Sequence, residues 1–472
     1  MLNFTRTKII ATLGPSSETI EKITELVKSG VTMFRLNTSH ETPEYHARLL
    51  KKIRDVEIDL NTQIPVMVDL QGPKIRVGKF ETPIELKKGD ILKFRHQEKI
   101  TPDGVLPVDY EDIAKDVKPS DKIFLDDGKL QFKVLEVNED TITTEALNDG
   151  ILKQRKGINI PGNTGSINVL TERDKEFVRF AIENNVDYIA LSFVRDANDV
   201  MELKNCIKEH GGKIKIISKI EKPQAVKNAD DIINKSAGIL IARGDLGIEI
   251  STEKVPVVQK ELTKKANIQR KLVILATQML ESMIENPIPT RAETSDVANA
   301  ILDGVDALLL SGETAAGKYP VEAINTMKII ADNVENSDIM QYNKYSKEIL
   351  EYVNDDSTAI CSAVIEIVDK IKPKAILTIS ASGYTTKLLS KARPNIPIFV
   401  CCPSVKNCRR LKLFRDVYPI DLNVEITTNS LNQFSEYFIN KLGMKKGDKI
   451  VLTGAVPDLL VGKTNFIKVH EL

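Results

Sequence analysis

A lysine and two carboxylates follow two successive apolar segments of this chain. Lys219 and Glu221 end the segment KIISKIE, and Asp245 follows the next segment within ARGDLGIEI. Carboxylate oxygens suit a divalent cation, and a fixed ammonium group beside that cation can neutralise further negative charge. The combination predicts a Mg²⁺ or Mn²⁺ site of the kind that phosphoryl transfer or enolate chemistry requires.

Lys219 and Glu221 alone also have a simpler interpretation, since a lysine at a strand end often extends to solvent and pairs with a neighbouring glutamate. The additional carboxylate of Asp245 favours the metal site, because two unneutralised carboxylates in one cleft would repel each other.

The segment ARGDLGIEI also predicts backbone N–H groups that could bind an anion. Gly244 and Gly247 stand between a strand and a helix, which would leave N–H groups free to bind a small carboxylate. Thr277, in the next apolar segment ATQMLESM, is either a turn hydroxyl or a donor to a developing enolate. The sequence leaves both roles open.

The segment RLNTSH combines a guanidinium group with neutral oxygen donors at Arg35, Asn37, Ser39 and His40. A guanidinium group binds phosphate well. Ser39 is also a candidate cap for a helix that begins in ETPEYHARLL. His40 is a weaker candidate for a catalytic base, because a lone histidine is more often structural.

Eight apolar segments recur along the chain, and helix-patterned stretches follow all but one of them. Runs without alternation indicate strands buried on both faces, and eight of them predict a (β/α)8 barrel. The carboxyl ends of such strands form the catalytic face, here with Asp69, Arg243, Ser311 and Glu313 beside the residues above. The segments are KIIATLG, VTMFRLNTSH, PVMVDLQG, DYIALSF, KIKIISKIE, GILIARGD, LVILATQ and DALLLSGET.

Helix caps support this alternation. Thr171 with Asp174 predicts one N-terminal cap, and Ser17 predicts another, for a helix that ends at Gly30.

Two further domains are predicted. Roughly ninety residues separate DLQGPKIR from TERDKEF, whereas a barrel connection needs only a few; their short strands indicate an inserted β-barrel lid. Five strands with intervening helices near the end indicate an open α/β domain. The predicted boundaries are 1–70 and 164–340 for the barrel, 71–163 for the lid and 341–472 for the C-terminal domain.

Composition narrows the functional classes. Sixty-six basic residues balance 66 acidic ones, so no net field attracts nucleic acid or an anionic membrane. No run of 18 apolar residues occurs, and too few residues precede the first strand for a signal peptide. The five cysteines form no CxxC pair. We expect a cytoplasmic protein with reduced thiols.

The chain resembles the pyruvate kinase family over nearly its whole length. That family transfers the phosphoryl group of phosphoenolpyruvate to ADP and protonates the resulting enolate to pyruvate; the resemblance implies the same three domains, with a regulatory role for the last. The motifs that carry it, in the family's order, are KIIATLGPSS, FRLNTSH, GPKIR, LDDG, KIISKIE, ARGDLGIEI, ATQMLESM, PTRAETSDVANAILDG and SGETA.

The resemblance also implies roles for individual residues. Lys219 would stabilise the transferring phosphoryl group, Glu221 and Asp245 would hold one Mg²⁺, and a second Mg²⁺ would arrive with the nucleotide. Thr277 or Ser311 would relay the final proton through water. The remaining implied contacts are the substrate carboxylate at Gly244, Asp245 and Thr277, phosphates at Arg35 and Arg76, and the nucleotide at Asn37, His40, Arg76, Asp127 and Lys156.

One motif departs from the form found in many K⁺-requiring members, which carry DTKGPE followed by Ile-Arg-Thr. This chain reads DLQGPKIRV, with Lys74 in place of the glutamate. Leu70, Gln71 and Val77 replace threonine, lysine and threonine, a combination that resembles the K⁺-independent branch.

A tethered ammonium group at Lys74 would then replace the bound cation; the alternative is a surface lysine without a role. The monovalent-cation site of the family corresponds here to Asn37, Ser39, Asp69 and Leu70.

In the C-terminal domain, SASGYTTKLLSKARP resembles the effector loop of regulated family members, although Tyr384 is not the usual residue after the glycine. A plain turn before a helix explains the segment nearly as well. The resemblance implies a homotetramer and a phosphorylated effector, held by Ser380, Ser382, Gly383, Thr385, Thr386 and Lys463.

Two other functions remain open from the sequence. A barrel lyase acting on pyruvate or its enol would use Lys219 to form a Schiff base. A noncatalytic phosphometabolite-binding protein would not need Lys219, Glu221 and Asp245 together.

Overall fold

The computed structural model describes residues 6–101, 104–161, 168–342, 345–352, 355–380, 382–402, 404–420, 428–455 and 464–472. The predicted boundary between lid and barrel at 163 and 164 lies outside these ranges. No helix within them is both long and apolar enough to cross a membrane.

The chain begins with three parallel strands and two helices, and their caps partly differ from those predicted. Thr19, not Ser17, caps the first helix, which ends at Gly30 as predicted. Thr42, not Ser39, caps the second, because its hydroxyl accepts the N–H of Tyr45. The elements are β1 (Lys8–Thr12), α1 (Ile20–Ser29), β2 (Val31–Asn37), α2 (Pro43–Asp59) and β3 (Val66–Asp69).

The insertion after β3 forms two sheets around their own hydrophobic core, in which Phe94 and Phe132 are fully buried. A curled sheet has the order β11-β7-β8-β9-β5-β6, and β10 pairs with β4. The strands are β4 (Ile84–Leu86), β5 (Ile91–His96), β6 (Leu106–Val108), β7 (Lys122–Leu125), β8 (Leu130–Asn138), β9 (Thr141–Ala146), β10 (Gly150–Leu152) and β11 (Ile158–Asn159).

Alternating helices and strands then resume. The predicted cap at Thr171 is confirmed as a capping box in which Thr171 and Asp174 bond each other's backbone N–H groups. The elements are α3 (Glu172–Glu183), β12 (Tyr188–Leu191), α4 (Ala197–Glu209), β13 (Lys215–Ile220), α5 (Pro223–Lys227), α6 (Ala229–Lys235), β14 (Gly238–Ala242), α7 (Arg243–Ile250), α8 (Val255–Ile268), β15 (Leu272–Ala276), α9 (Arg291–Asp303), β16 (Ala307–Leu310), α10 (Gly312–Ala315) and α11 (Pro320–Glu335).

All eight predicted parallel strands are present, and they close into a barrel in the order β1-β16-β15-β14-β13-β12-β3-β2. Alternate side chains of each strand enter two different cores. Ile10, Met33 and Leu309 fill the barrel interior, whereas Ile9 and Phe34 pack against the surrounding helices. This double burial explains the continuous apolar runs in the sequence.

The C-terminal region contains the five predicted strands in one sheet, ordered β19-β18-β17-β20-β21, with only β21 antiparallel to its neighbour. Its elements are α12 (Tyr345–Glu351), α13 (Asp356–Ile371), β17 (Ala375–Ile379), α14 (Tyr384–Ala392), β18 (Ile398–Cys401), α15 (Val405–Leu411), β19 (Val417–Pro419), α16 (Thr428–Asn440), β20 (Lys449–Gly454) and β21 (Phe466–Glu471).

This region packs against the amino ends of the barrel strands. Lys8, which begins β1, donates to the carbonyl oxygen of Val417 at 3.1 Å. The Lys391 ammonium lies 2.5 Å from the carboxylate of Asp306, just before β16, and both side chains are buried. The carboxyl ends of the strands therefore remain free for a site on the opposite face.

One expectation about the cysteines is wrong. The structure joins Cys402 and Cys408 in a disulfide, with Cα atoms 6.0 Å apart, whereas the sequence suggested that all five thiols are reduced. Cys206, Cys361 and Cys401 are free and buried. The turn into α15 brings the paired residues together, and their spacing differs from the CxxC pattern.

Candidate functional site

Three strands of the barrel, β2, β3 and β13, bring four charged side chains together at the carboxyl rim. Arg35 lies near the end of β2, Asp69 ends β3, and Lys219 and Glu221 lie at the end of β13. Arg35 Nε bonds Asp69 Oδ2 at 2.7 Å, and Lys219 Nζ lies 3.4 Å from Asp69 Oδ1. Parallel strands in one closed sheet thus gather residues that are far apart in sequence.

Lys219 is held by three oxygen atoms. Its Nζ lies 2.9 Å from Glu221 Oε1, 2.8 Å from the hydroxyl of Ser192 and 3.4 Å from Asp69. Burial lowers the pKa of Lys219, but the charges of Asp69 and Glu221 outweigh burial and raise it above the ordinary value. The side chain therefore carries a positive charge at neutral pH.

Asp69 contacts two cations, and its side chain is buried. Burial raises the pKa of Asp69, but the charges of Lys219 and Arg35 outweigh it, so the net shift is downward. Asp69 therefore stays ionised and holds both cations at the rim.

Glu221 is 1% exposed, and its two oxygens have different surroundings. Oε2 accepts the backbone N–H of Phe193 at 2.7 Å, while Oε1 contacts Lys219 without forming a hydrogen bond. Burial raises the pKa of Glu221, Lys219 opposes this shift, and the nearby negative charge of Asp245 adds to it. An additional cation would relieve this repulsion.

Asp245 lies in the first turn of α7 and is partly exposed. No donor within the described ranges bonds its carboxylate, and no cluster of three metal-ligating His, Cys, Asp or Glu side chains occurs in those ranges. Glu221 and Asp245 thus form a pair of oxygen donors suited to a divalent cation that takes its other ligands from elsewhere.

The structure changes the expectation for the backbone at Gly244. The helix already begins at Arg243, and the N–H of Gly244 donates to the hydroxyl of Thr277 at 2.8 Å, so it is not free. The Thr277 hydroxyl itself donates to the carbonyl of Ala276 at 2.6 Å. In this structure the Thr277 hydroxyl bonds within the turn, at a residue with a φ of 70°; its role as a donor to an enolate stays a prediction.

Ser311 and Glu313 form a local structure at the end of β16. The N–H of Ser311 donates to Glu313 Oε2 at 2.8 Å, and the N–H of Leu280 donates to Oε1 at 3.1 Å. Burial raises the pKa of Glu313. The carboxylate orders two loops, and the side chain of Ser311 is partly exposed at the rim.

The predicted monovalent-cation and nucleotide residues after β2 form a turn. Asn37 Oδ1 accepts the N–H of Ser39 at 3.2 Å, and His40 is exposed. Leu70 is buried, and its N–H donates to Ala190 in the next strand. Asn37 and Asp69 are register partners on adjacent strands, so this turn borders the Arg35 and Lys219 cluster.

The residues of the inserted region that were predicted to bind the nucleotide contact other residues of the same region. Lys156 lies 2.7 Å from Asp126, the residue before the predicted Asp127. Arg76 donates to the carbonyl of Arg155 at 3.3 Å, and its backbone pairs with Gly157.

The side chain of Lys74 passes over Gly157, where an added Cβ would lie 2.8 Å from Lys74 Cε. No carboxylate in the described ranges lies within 4.0 Å of the Lys74 ammonium group.

The hydroxyls of the predicted effector loop have internal partners. Ser380 accepts the N–H of Gly383, Thr385 bonds Thr464, and Thr386 bonds Thr378. Lys463 lies outside the described residues. Gly383 has a φ of 76°, a backbone conformation that favours glycine.

Ser192 and Phe193 were missed by the sequence reasoning. They directly follow β12, and they hold Lys219 through a hydroxyl and Glu221 through an N–H. The criterion applied to the other strands, a polar residue immediately after a buried segment, would have identified Ser192 in DYIALSF. Nothing in the sequence marks the N–H of Phe193, because any residue can supply one.

Two family descriptions match the chain. The pyruvate kinase barrel domain matches residues 4–324, and the pyruvate kinase alpha/beta domain matches residues 358–470. A pyruvate kinase from Geobacillus stearothermophilus is 40% identical, over 99% of this chain and 80% of the relative. One from Thermotoga maritima is 39% identical over 99% of both chains, and one from Clostridium perfringens is 37% identical over 99% of this chain and 100% of the relative.

Proposed function

Because this chain belongs to the pyruvate kinase family, we propose that it transfers the phosphoryl group of phosphoenolpyruvate to ADP, yielding pyruvate and ATP in the last step of glycolysis. The observation that carries the proposal is the partly buried Lys219, held between Ser192, Asp69 and Glu221 next to a pair of carboxylates suited to a metal ion. Phosphoryl transfer depends on placement and charge neutralisation more than on a covalent nucleophile.

Lys219 acts as a fixed positive charge that stabilises the transferring phosphoryl group. Its three oxygen contacts hold the ammonium before substrate arrives, so little reorganisation is needed during the reaction. Arg35, anchored to Asp69, provides a second cation that binds the phosphate of the substrate.

Glu221 and Asp245 would hold the divalent cation, Mg²⁺ or Mn²⁺. When bound, Mg²⁺ supplies positive charge that neutralises phosphate and enolate oxygens. The raised pKa of Glu221, caused first by burial and increased by Asp245, supports this role because an added cation relieves the repulsion between the two carboxylates.

The other residue assignments complete the proposal. The backbone at Gly244 and Asp245, together with Thr277, binds the substrate carboxylate after the N–H of Gly244 and the hydroxyl of Thr277 exchange their present hydrogen bonds for it. Thr277 or Ser311 passes the final proton through water. Closure of the lid, residues 71–163, excludes water from the reacting groups. The nucleotide contacts are assigned to Asn37, His40, Arg76, Asp127 and Lys156.

The lyase alternative is disfavoured by the charge on Lys219. A Schiff base requires a neutral amine, whereas the net effect of burial and of the charges of Asp69 and Glu221 raises the pKa of Lys219. Sodium borohydride trapping with pyruvate tests this point, since covalent labelling of Lys219 would support the lyase.

The decisive experiment measures ADP- and phosphoenolpyruvate-dependent pyruvate formation in the intact protein and in two variants. Lys219→Ala should lower kcat by about 100-fold or more, as expected for loss of one fixed transition-state charge. Lys227→Ala, a matched control at an exposed position in α5, should retain activity. Absence of pyruvate with the intact protein, or full activity of Lys219→Ala, would reject the proposal.

K⁺ independence is proposed as well. Asp69, an oxygen ligand of the monovalent site in the family, already contacts Arg35 and Lys219, and Lys74 adds a charge without a nearby carboxylate among the described residues. A tethered ammonium then provides what a bound K⁺ would supply.

The quaternary and regulatory assignments are a homotetramer in the cytoplasm, with a phosphorylated effector at the loop of Ser380 to Thr386. Light scattering after size-exclusion chromatography measures the oligomeric state; a mass other than four chains would reject the tetramer.

A further inference from the structure

The barrel connects to the lid at residues 70–72, directly after β3, and this lid connection passes over the turn that follows β12. Gly72 has a φ of 68°, and a Cβ added to it would lie 2.9 Å from Phe193 Cδ2 and 3.1 Å from Ser192 Cβ. Such separations leave no room for a methyl group. The lid connection therefore packs directly against the two residues that bond the lysine and the glutamate of the charged cluster.

The hydroxyl of Ser192 joins two groups that are far apart in the sequence. It has one proton, which it donates to the carbonyl oxygen of Leu70 at 2.6 Å. A lone pair of the same oxygen then faces Lys219, whose Nζ donates to it at 2.8 Å. Because Ser192 is buried, water does not compete for either hydrogen bond. One side chain thus links the catalytic lysine to the first residue of the lid connection.

Ser192 and the two carboxylates contribute differently to Lys219. The contact with Ser192 has hydrogen-bond geometry, whereas Glu221 Oε1 and Asp69 Oδ1 accept no hydrogen bond in the part of the chain that the structure describes. An attraction between charges depends mainly on distance, while a hydrogen bond also depends on direction. The carboxylates therefore keep the lysine charged, and Ser192 fixes the direction in which its ammonium group points.

Phe193 has a backbone conformation that is unusual for an aromatic residue, with a φ of 56°. A residue other than glycine gains no stability from this conformation and adopts it where the surrounding structure requires it. Here it accompanies the hydrogen bond from the N–H of Phe193 to Glu221 Oε2, at 2.7 Å. The turn after β12 is thus strained at the point where it contacts the cluster.

One buried carboxylate holds both ends of the lid. Oδ1 of Asp174 accepts the N–H of Gly72 at 3.2 Å, where the chain leaves the barrel. Oδ2 accepts the hydroxyl of Thr171 at 2.6 Å and its N–H at 3.0 Å, where the returning chain enters α3. Asp174 therefore fixes the outgoing and the returning chain to one point of the barrel. Gly72 lies between that point and the turn of Ser192 and Phe193.

We propose that Ser192 is a positioning residue for phosphoryl transfer, through which the lid connection at residues 70–72 sets the direction of the Lys219 ammonium group. Because Ser192 bonds both groups, the carbonyl of Leu70 and the ammonium group keep a fixed separation, and the lid and the catalytic lysine are positioned together. The inference rests on the proposed function, since it concerns the same lysine and the same lid.

A double-mutant cycle on pyruvate formation tests the role of Ser192. Ser192→Ala should lower kcat by about tenfold and leave the KM for ADP unchanged, because it misdirects one charged group and removes no nucleotide contact. In the Lys219→Ala background the same change should lower kcat by less than about twofold, since the group that Ser192 positions is absent. A tenfold fall in both backgrounds would show a merely structural role and overturn the proposal, as would full activity of Ser192→Ala.

Ser218→Ala is the matched control. It removes another buried hydroxyl from the strand that carries Lys219, but this hydroxyl bonds Ser236 at the end of α6. We expect the kcat of the intact protein. Ser192→Cys, which keeps the shape of the side chain and weakens its hydrogen bonds, repeats the cycle if Ser192→Ala does not fold.

Gly72→Ala tests the link from the side of the lid, because it displaces the turn and leaves Ser192 in place. We expect kcat to fall by at least about fivefold, with little further effect in the Lys219→Ala background. Gly89→Ala is the control: Gly89 also has a positive φ, of 94°, and a Cβ added there meets no described atom within 4 Å. Equal kcat values for the two glycine variants would overturn the link between the lid connection and the turn.

Crystal structures without substrate supply a measurement that does not depend on activity. In Ser192→Ala, the Lys219 ammonium group should move by more than about 1 Å or occupy two positions, because it has lost its directional partner. A single, unchanged position would overturn the proposal. A protein that forms no pyruvate would contradict the proposed function, and these structures would still decide whether Ser192 positions Lys219.

Discussion

At the scale of single residues, the site depends on how a few buried charges stabilise one another. Asp69 contacts Arg35 and Lys219, and Lys219 also contacts Glu221, so each buried charge has an opposite partner. The net negative excess lies at Glu221 and Asp245, where Asp245 raises the pKa of its neighbour. The carboxylates that stabilise Lys219 as a cation therefore leave an excess of negative charge, which a metal ion would neutralise.

The raised pKa of Glu221 predicts an acid limit of activity that depends on Mg²⁺. Burial first, and then the charge of Asp245, cause Glu221 to take up a proton at a higher pH than an ordinary glutamate. The proton and the metal compete for one carboxylate, so activity should fall as the pH is lowered through this pKa. More Mg²⁺ should move the midpoint of that fall to lower pH.

Measurement of kcat/KM against pH at two Mg²⁺ concentrations about tenfold apart checks this linkage. A midpoint at the same pH under both conditions would assign the acid limit to a group other than a metal ligand.

Lys74 predicts the response to K⁺. In Mg²⁺ buffer with a bulky inert cation, the intact protein should retain near-full activity, and added K⁺ should raise kcat/KM by less than about tenfold, or ~1.4 kcal/mol. Lys74→Glu should make activity depend on K⁺, because it removes the tethered charge and adds an anion. Steady-state rates with and without K⁺ provide the measurement, with Lys79→Glu, an exposed lysine of the same segment, as the control. Strong activation of the intact protein would contradict the assignment.

Residue types were easier to predict than residue contacts. Lys219, Glu221 and Asp245 were found because a strand end with acidic and basic residues suggests chemistry. The contacts of Ser192 and Phe193 were missed, because a hydrogen bond across two strands depends on which strands are neighbours.

At the scale of helices and strands, the sequence predicted which elements exist better than it predicted the residues at which they begin. All eight barrel strands were identified, because burial on both faces gives continuous apolar runs. Two of three predicted caps were displaced, from Ser17 to Thr19 and from Ser39 to Thr42. Several adjacent residues can accept the same terminal N–H groups, and packing selects which one does.

The correctly predicted cap at Thr171 should contribute to the stability of the barrel. Thr171→Ala should destabilise the barrel by about 1 kcal/mol, because α3 loses the acceptor for the N–H of Asp174. The expected fall in Tm is about 2–4 °C for a domain of this size. Thr171→Ser retains the hydroxyl and should match the intact protein in calorimetry. An unchanged Tm in Thr171→Ala would show that the cap does not limit barrel stability.

At the scale of the whole molecule, the barrel, the inserted sheets and the C-terminal region have separate hydrophobic clusters, with one exception. The barrel interior continues into Leu413, Phe414 and Val417 of the C-terminal region. The amino end of the barrel interior is therefore closed by side chains of the C-terminal region, while the carboxyl end bears the charged cluster of Arg35, Asp69, Lys219 and Glu221.

The buried ion pair of Lys391 and Asp306 should contribute most to the stability of the contact between the barrel and the C-terminal region. Burial lowers the pKa of Lys391 to about 8, against the charge of Asp306, and Asn267 also accepts from its ammonium. Lys391→Met should destabilise the protein by about 3–5 kcal/mol, because Asp306 would remain buried without its cation.

Thermal unfolding measured by calorimetry checks the prediction. Lys391→Met/Asp306→Asn removes both charges and should recover part of the lost Tm. Equal Tm values for the intact protein and Lys391→Met would show that the pair is energetically neutral.

The sequence by itself determined the class of fold, the number of barrel strands, the existence of an insertion and the residue types of the rim, because these follow from local periodicity and from the chemistry of single side chains. Only the tertiary structure decided that Asp69 lies between Arg35 and Lys219, that Thr277 accepts the N–H of Gly244, and that Ser192 and Phe193 bond Lys219 and Glu221. Those features depend on distances between segments far apart in the chain, which are fixed only when the sheet closes and the C-terminal region packs beneath it.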